Sequence, residues 1–265
     1  MKLGCCLNIS DYKYDLRECL CRLADMGYSY FEPSISTIAQ LSDTDFDKLC
    51  TDIAASPIGC EAVNGLFPAE VRLTGTKVDK AQITSHLNTT FERANALGAK
   101  IVVFGSGGAK NLEEGCTYDE AAKQYADVLQ ILEQYGAKYD GTITVEHLNK
   151  LEANFITSIK EMFGFLEGKN YKHVKMLIDY YHMKMENEDE SIIAQLRGEL
   201  CHLHIADEEG RTFPLEQSKD KYADFFKKVK AIGYNSRLSI EARTTNFFTD
   251  AAASAKLLLP LISQT

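Results

Sequence analysis

The chain has 265 residues, 45% hydrophobic and 25% charged, with Lys plus Arg at 29 against Asp plus Glu at 38 and a formal net charge of -9. Five prolines and the lack of any low-complexity tract exclude a disordered or fibrous chain, and an acidic balance without a basic cluster argues against nucleic acid as a partner. No run of eighteen apolar residues is present and the opening MKLGCCLNIS is too short for a secretory h-region, so neither a membrane span nor export is expected and the chain reads as cytoplasmic.

A strand then helix unit recurs along the chain at intervals of roughly 30 residues. The first strand is KLGCCLN (2 to 8), followed by the helical pattern DLRECLCRLADMG with a glycine stop at Gly27. Strands YSYFEPS (28 to 34) and IGCEAVN (58 to 64) come next, then the helical TTFERANALG, stopped by Gly98, and the strand AKIVVFG (99 to 105). TITVEHL (142 to 148), VKMLIDY (174 to 180) and LCHLHIA (200 to 206) follow. The helical KYADFFKKVKAIG, stopped by Gly233, leads to RLSIEA (237 to 242). Eight such units predict a (β/α)8 TIM barrel forming a single domain over 1–265, because parallel neighbours need crossovers and the helices then cover the outside. An open doubly wound sheet is the alternative, but no G-x-G-x-x-G follows the first strand.

Alternation along the later strands sorts their polar residues. In TITVEHL, Glu146 shares a face with Thr142 and Thr144, opposite Ile143 and Val145. Asp179 likewise falls opposite Met176 and Ile178, His202 and His204 opposite Leu203 and Ile205, and Ser239 and Glu241 opposite Leu238 and Ile240. Four consecutive strands thus bring a carboxylate or imidazole to their C-terminal ends, where active sites of this fold lie. Crowded carboxylates repel unless a cation sits among them. Glu146, Asp179, His204 and Glu241 would offer three oxygens and one nitrogen to one divalent ion, Mn2+ first, with Mg2+, Co2+ or Zn2+ as alternatives. Isolated strand-end groups bonding their own loops are the plainer reading of each residue taken singly.

Elsewhere plainer readings prevail. The eight cysteines, Cys5, Cys6, Cys19, Cys21, Cys50, Cys60, Cys116 and Cys201, form no C-x-x-C pair and read as small buried hydrophobes. His202 reads as a buried, hydrogen-bonded histidine; His86 and His173 read as surface residues. FGSGGAKN lacks G-K-[ST] and reads as a tight loop beside the pocket, with Lys110 within reach of an anion. The run ENEDES (186 to 191) reads as a solvated helix start.

The blocks EAVNGLFP, ALGAKIVVFGSGGAKN, VEHLNKLEANFI, LIDYYHM, HLHIADEEGR and IGYNSRLSIEAR, spread over nearly the whole chain, resemble those of the xylose isomerase-like TIM barrel family of sugar phosphate isomerases and epimerases. That family includes ketose 3-epimerases, hydroxypyruvate isomerase and inosose dehydratase. The resemblance implies a metal held by Glu146, Asp179, His204 and Glu241, in agreement with the inward-face count, and substrate contacts from Glu152, His182 and Arg211. Arg211 lies seven residues after His204, as in the isomerase and dehydratase branch, whereas the 3-epimerases have six. The implied reaction is proton transfer next to a carbonyl through a metal-stabilised enediolate, with Glu146 and Glu241 as catalytic acid and base. VKMLIDYYHM then divides into an inward ligand, Asp179, at the strand end and a loop residue, His182, curling back over substrate.

Three other readings stand beside this one. A metal-dependent dehydratase of a keto-inositol or keto-sugar would use the same enolate but expel water. An endonuclease IV-like enzyme would need histidines at the third and fourth strand ends, where Asn64 and Gly105 stand. A non-catalytic sugar-binding protein would have no use for all four ligands. The expected partner is a small-molecule sugar, with neither nucleic acid nor membrane; assembly as a homo-oligomer (dimer or tetramer) is left open.

Overall fold

The face-by-face alternation expected of the strands separates the apolar side chains into two packing groups. A computed structural model describes residues 1–7 and 15–263. Ile143, Val145, Met176, Ile178, Leu203, Ile205, Leu238 and Ile240 belong to one large core between strands and helices. A second, small cluster of Tyr30, Ala62, Ile101, Val103 and Leu177 fills the interior of the ring of strands.

The strands are β1 (Lys2–Leu7), β2 (Tyr30–Pro33), β3 (Gly59–Cys60), β4 (Ala62–Val63), β5 (Ile101–Phe104), β6 (Thr142–Glu146), β7 (Val174–Asp179), β8 (Leu200–Ile205) and β9 (Arg237–Ile240). Residue 8 of the expected first strand lies outside the described residues. All pairs are parallel, in the order β3-β2-β1-β9-β8-β7-β6-β5-β4. The expected third strand is thus two pieces broken at Glu61, which pair with opposite neighbours, β3 with β2 and β4 with β5. The ring closes just beyond the break. Ser34 and Asn64 form a parallel bridge, with Ile35 N donating to Asn64 O at 2.8 Å and Asn64 N donating to Pro33 O at 3.0 Å. Eight expected strands therefore appear as nine segments of a (β/α) TIM barrel. At the break, the Glu61 carboxylate accepts from Lys2 Nζ at 2.6 Å and Arg237 Nε at 2.7 Å, tying β1 and β9 to the split strand.

Helices flank the ring where the sequence punctuates it. Asp15 caps Leu16–Asp25 by accepting from Glu18 N at 3.1 Å, and Gly27, at φ 94°, turns the chain back. Lys80–Ala96 and Lys219–Ala231 end before Gly98 and Gly233, which are also at positive φ. Inside the barrel, Gly4 sits so close to Tyr30 that a Cβ there would lie 2.2 Å from the ring, so the tyrosine can cross the interior and bond Ser239 Oγ at 2.8 Å. Among the described residues no helix is long and apolar enough to cross a membrane.

Candidate active site

Strand ends place the four expected ligands together. Glu146 closes β6, Asp179 closes β7, His204 is the last residue but one of β8 and Glu241 follows β9. One donor atom from each lies within 4.8 Å of the other three. His204 Nδ1 is 3.2 Å from Glu146 Oε1 and 3.5 Å from Glu241 Oε2. Glu146 Oε1, Asp179 Oδ2 and His204 Nδ1 are buried and have no hydrogen-bond partner. Three such atoms aimed at one another cost free energy unless a cation serves them all, and a set of carboxylate oxygens with one imidazole nitrogen suits a small divalent ion. The residues fit a metal.

The charges around the cluster pull its members apart. Burial raises the Glu146 carboxyl above its ordinary value, against His204, while Glu241 and Asp179 push it the same way. Burial also lifts Asp179 to about 6, opposed by Arg211. Glu241 is half-buried, and His204 and Arg211 outweigh the loss of solvent around it and hold it down to about 2.

Glu152, His182 and Arg211 surround this cluster. Arg211, in the loop after β8 at φ 55°, donates from Nη1 to both Glu152 oxygens at 3.0 Å and from Nη2 to Glu241 Oε2; Nη2 also lies 3.5 Å from Asp179 Oδ2. His182 corrects the loop expectation. β7 does end at Asp179, but Asp179 Oδ1 accepts from Tyr181 N at 2.7 Å and caps a short helix, Tyr180–Met185, that carries a fully buried His182. On that helix the two residues share a face, and His182 Nε2 stands 3.6 Å from Asp179 Oδ2. Asn149 Oδ1 accepts from Leu151 N, which leaves the Asn149 amide nitrogen to donate to His182 Nδ1 at 2.9 Å. The His182 ring proton therefore sits on Nε2, facing the cluster.

Other expectations shift in the same region. Lys110 is fully buried and donates to the Glu146 main-chain oxygen at 2.9 Å, which binds it into the site wall and leaves it out of reach of an anion; burial lowers its ammonium to about 8. The FGSGG loop is a tight one, with a Cβ at Gly105 falling 2.2 Å from Glu146 Oε2. ENEDES is a solvated helix start only in part: the exposed Asp189 caps a 3-10 helix that begins at Glu190, but Glu186 bonds Lys150 and Glu190 pairs with Lys184 and Lys228. His86 and His173 are half-buried and bonded to Leu66 O and Gly141 O. His202 is buried and bonded, as expected, and three of the eight free cysteines, Cys5, Cys19 and Cys60, are buried.

Glu32, which the sequence reading passed over, lies beneath the cluster with no exposed surface. It accepts from His204 Nε2 at 2.8 Å, His202 Nε2 at 2.8 Å and Ser239 Oγ at 2.6 Å. Burial opposes its ionisation, but the imidazoles of His204 and His202 prevail and hold its carboxyl well below the usual range. Alternation in YSYFEPS, which puts Glu32 on the Tyr30 face and opposite Phe31, is the signal that could have found it.

A family model for the xylose isomerase-like TIM barrel matches residues 20–260. Over 126 residues the chain is 29% identical to the 3-dehydro-D-guloside 4-epimerase of Escherichia coli (strain K12), a match that spans 47% of each protein. It is 23% identical over 241 residues to the D-psicose 3-epimerase of Ruminiclostridium cellulolyticum, covering 88% of this chain and 78% of that one. A solved structure of the protein IOLI with a bound zinc atom superposes with a TM-score of 0.76 at 20% identity, over 99% of this chain and 98% of that one, a likeness of fold.

Proposed function

The chain belongs to the xylose isomerase-like TIM barrel family, and from that premise we propose that it is a divalent-metal-dependent isomerase or epimerase of a ketose or keto-sugar. The observation that carries this reading is the convergence of three unpartnered buried atoms, on Glu146, Asp179 and His204, beside Glu241 at the mouth of the barrel. The two curated relatives, both sugar epimerases, support the substrate class. Residues 1–265 act as one domain.

Glu146, Asp179, His204 and Glu241 would hold the ion, Mn2+ by preference for its tolerance of oxygen with one imidazole, with Zn2+, Mg2+ or Co2+ as substitutes. When bound, the ion supplies a Lewis acid that makes the carbon next to a sugar carbonyl acidic enough to give up a proton. Glu146 and Glu241, on different strands flanking His204, take and return that proton from opposite sides of the sugar, and the resulting enediolate is shared by isomerisation and epimerisation. His182 offers its Nε2–H to a substrate oxygen. Arg211, now held by Glu152 and Glu241, exchanges part of that pairing for sugar hydroxyls, and Glu152 accepts from a further hydroxyl. Three cations of the loops beyond the strand ends are committed to protein acceptors, Arg72 to Gly108 O and Asn111 O, Lys110 to Glu146 O and Lys150 to Glu186. That favours a sugar without phosphate.

Metal-loaded protein incubated with free ketoses, keto-inositols and their phosphates tests the reading. The expected product is an isomer of equal mass from an unphosphorylated substrate. A product lighter by one water would establish the dehydratase instead, and turnover confined to phosphates would overturn the substrate class.

A further inference from the structure

We propose that Glu32 is the positioning residue of the metal centre, one carboxylate that orients two imidazoles and fixes which nitrogen His204 presents to the ion. The inference rests on reading Glu146, Asp179, His204 and Glu241 as metal ligands.

Four elements build the arrangement. Glu32 comes from β2, His202 and His204 from successive inward positions of β8, and Ser239 from β9, so the carboxylate reaches across the barrel interior to strands on the far side of β1. Among the described residues, its Oε1 accepts from His204 Nε2, and its Oε2 accepts from His202 Nε2 and Ser239 Oγ. Tyr30 continues the chain of bonds through Ser239. Glu32, His202, His204, Ser239 and Tyr30 all have no exposed surface, so no water competes for these bonds and each group has one arrangement open to it.

The consequence falls on His204. A ring that donates from Nε2 to a carboxylate keeps its proton there when an ion arrives and presents a bare Nδ1, the atom that faces Glu146 and Glu241. The bond to a charged acceptor also makes that nitrogen more basic and a better ligand. His202 has a different part. Together with Ser239 it occupies Oε2 while His204 bonds Oε1, so bonds to both oxygens fix the rotation of the carboxylate. Glu32 touches neither the ion nor the sugar in this scheme.

Calorimetry of Mn2+ binding to metal-stripped wild type and Glu32→Gln, with NMR of histidine ring protons in the Zn2+-loaded wild type, tests the assignment. An amide at residue 32 offers one acceptor where the two imidazoles need two, so the variant should bind Mn2+ about ten- to a hundredfold more weakly. In the loaded wild type, the His204 ring proton should sit on Nε2 and exchange slowly with solvent. Unchanged affinity in a folded Glu32→Gln variant would overturn the proposal while leaving the metal centre standing, and a ring proton on Nδ1 would overturn it and take His204 out of the ligand set. Failure of the wild type to bind Mn2+ would remove both. Should the variant not fold, the NMR measurement on the wild type decides alone.

Discussion

At the scale of single residues, the site depends on space left for a carboxylate as much as on the carboxylates. Gly105 stands at the end of β5 against Glu146, where even a methyl group would overlap Oε2. Gly105→Ala should therefore turn the Glu146 side chain out of the cluster and weaken Mn2+ binding about tenfold or more, a loss near 1.4 kcal/mol, while the barrel stays folded. Calorimetry beside circular dichroism reads both effects; wild-type affinity in the alanine variant would show that Glu146 has room to spare. The clustered residues themselves were legible because the two-residue period of a strand leaves no choice of face once the apolar side is known. Glu32 obeys the same period but lies inside a tyrosine-rich strand, before Pro33, rather than at the end of an apolar run, and Lys110 carried no periodic signal at all.

At the scale of elements, the segment after β7 shows what periodicity cannot convey. Whether Asp179 and His182 pair depends on where strand gives way to helix, and the deciding bond is local: Asp179 Oδ1 caps Tyr181 N and starts a helical turn at once. The acidic run beyond it is folded inward by partners remote in sequence, which composition does not reveal. Glu188 accepts from Ile159 N at 3.1 and 2.9 Å at the start of the helix Ile159–Leu166, and lies 3.6 Å from the buried His147. Burial lifts its carboxyl to about 7, against the backbone bond from Ile159. In the unfolded chain the value is about 4.3, so between these pH values the folded protein holds more protons than the unfolded one. Glu188's contribution to stability is complete below about 4.3 and declines as the pH rises towards 7. Glu188→Gln, which does not titrate, should gain a few degrees in Tm relative to wild type between pH 5 and pH 8. A Tm difference that stays flat over that range would contradict the burial of this charge.

At the scale of the whole molecule, eight repeats of strand and helix were readable because each strand is a short apolar run closed by a glycine or a turn, and parallel neighbours demand the intervening helices. The split of the third strand at Glu61 was not readable, since IGCEAVN shows an unbroken strand pattern and the break arises from pairing with two different neighbours. Closure of the ring sets β6 to β9 side by side, and that neighbourhood turns four separate strand ends into one cluster. The central claim is that this cluster moves a proton at the carbon beside a sugar carbonyl. The most direct measurement is deuterium uptake from D2O into recovered keto-sugar, catalysed by Mn2+-loaded wild type, Glu146→Gln and Glu241→Gln. Wild type should place deuterium on that carbon and both folded variants should place none, whereas uptake at the wild-type rate in both variants would contradict the account.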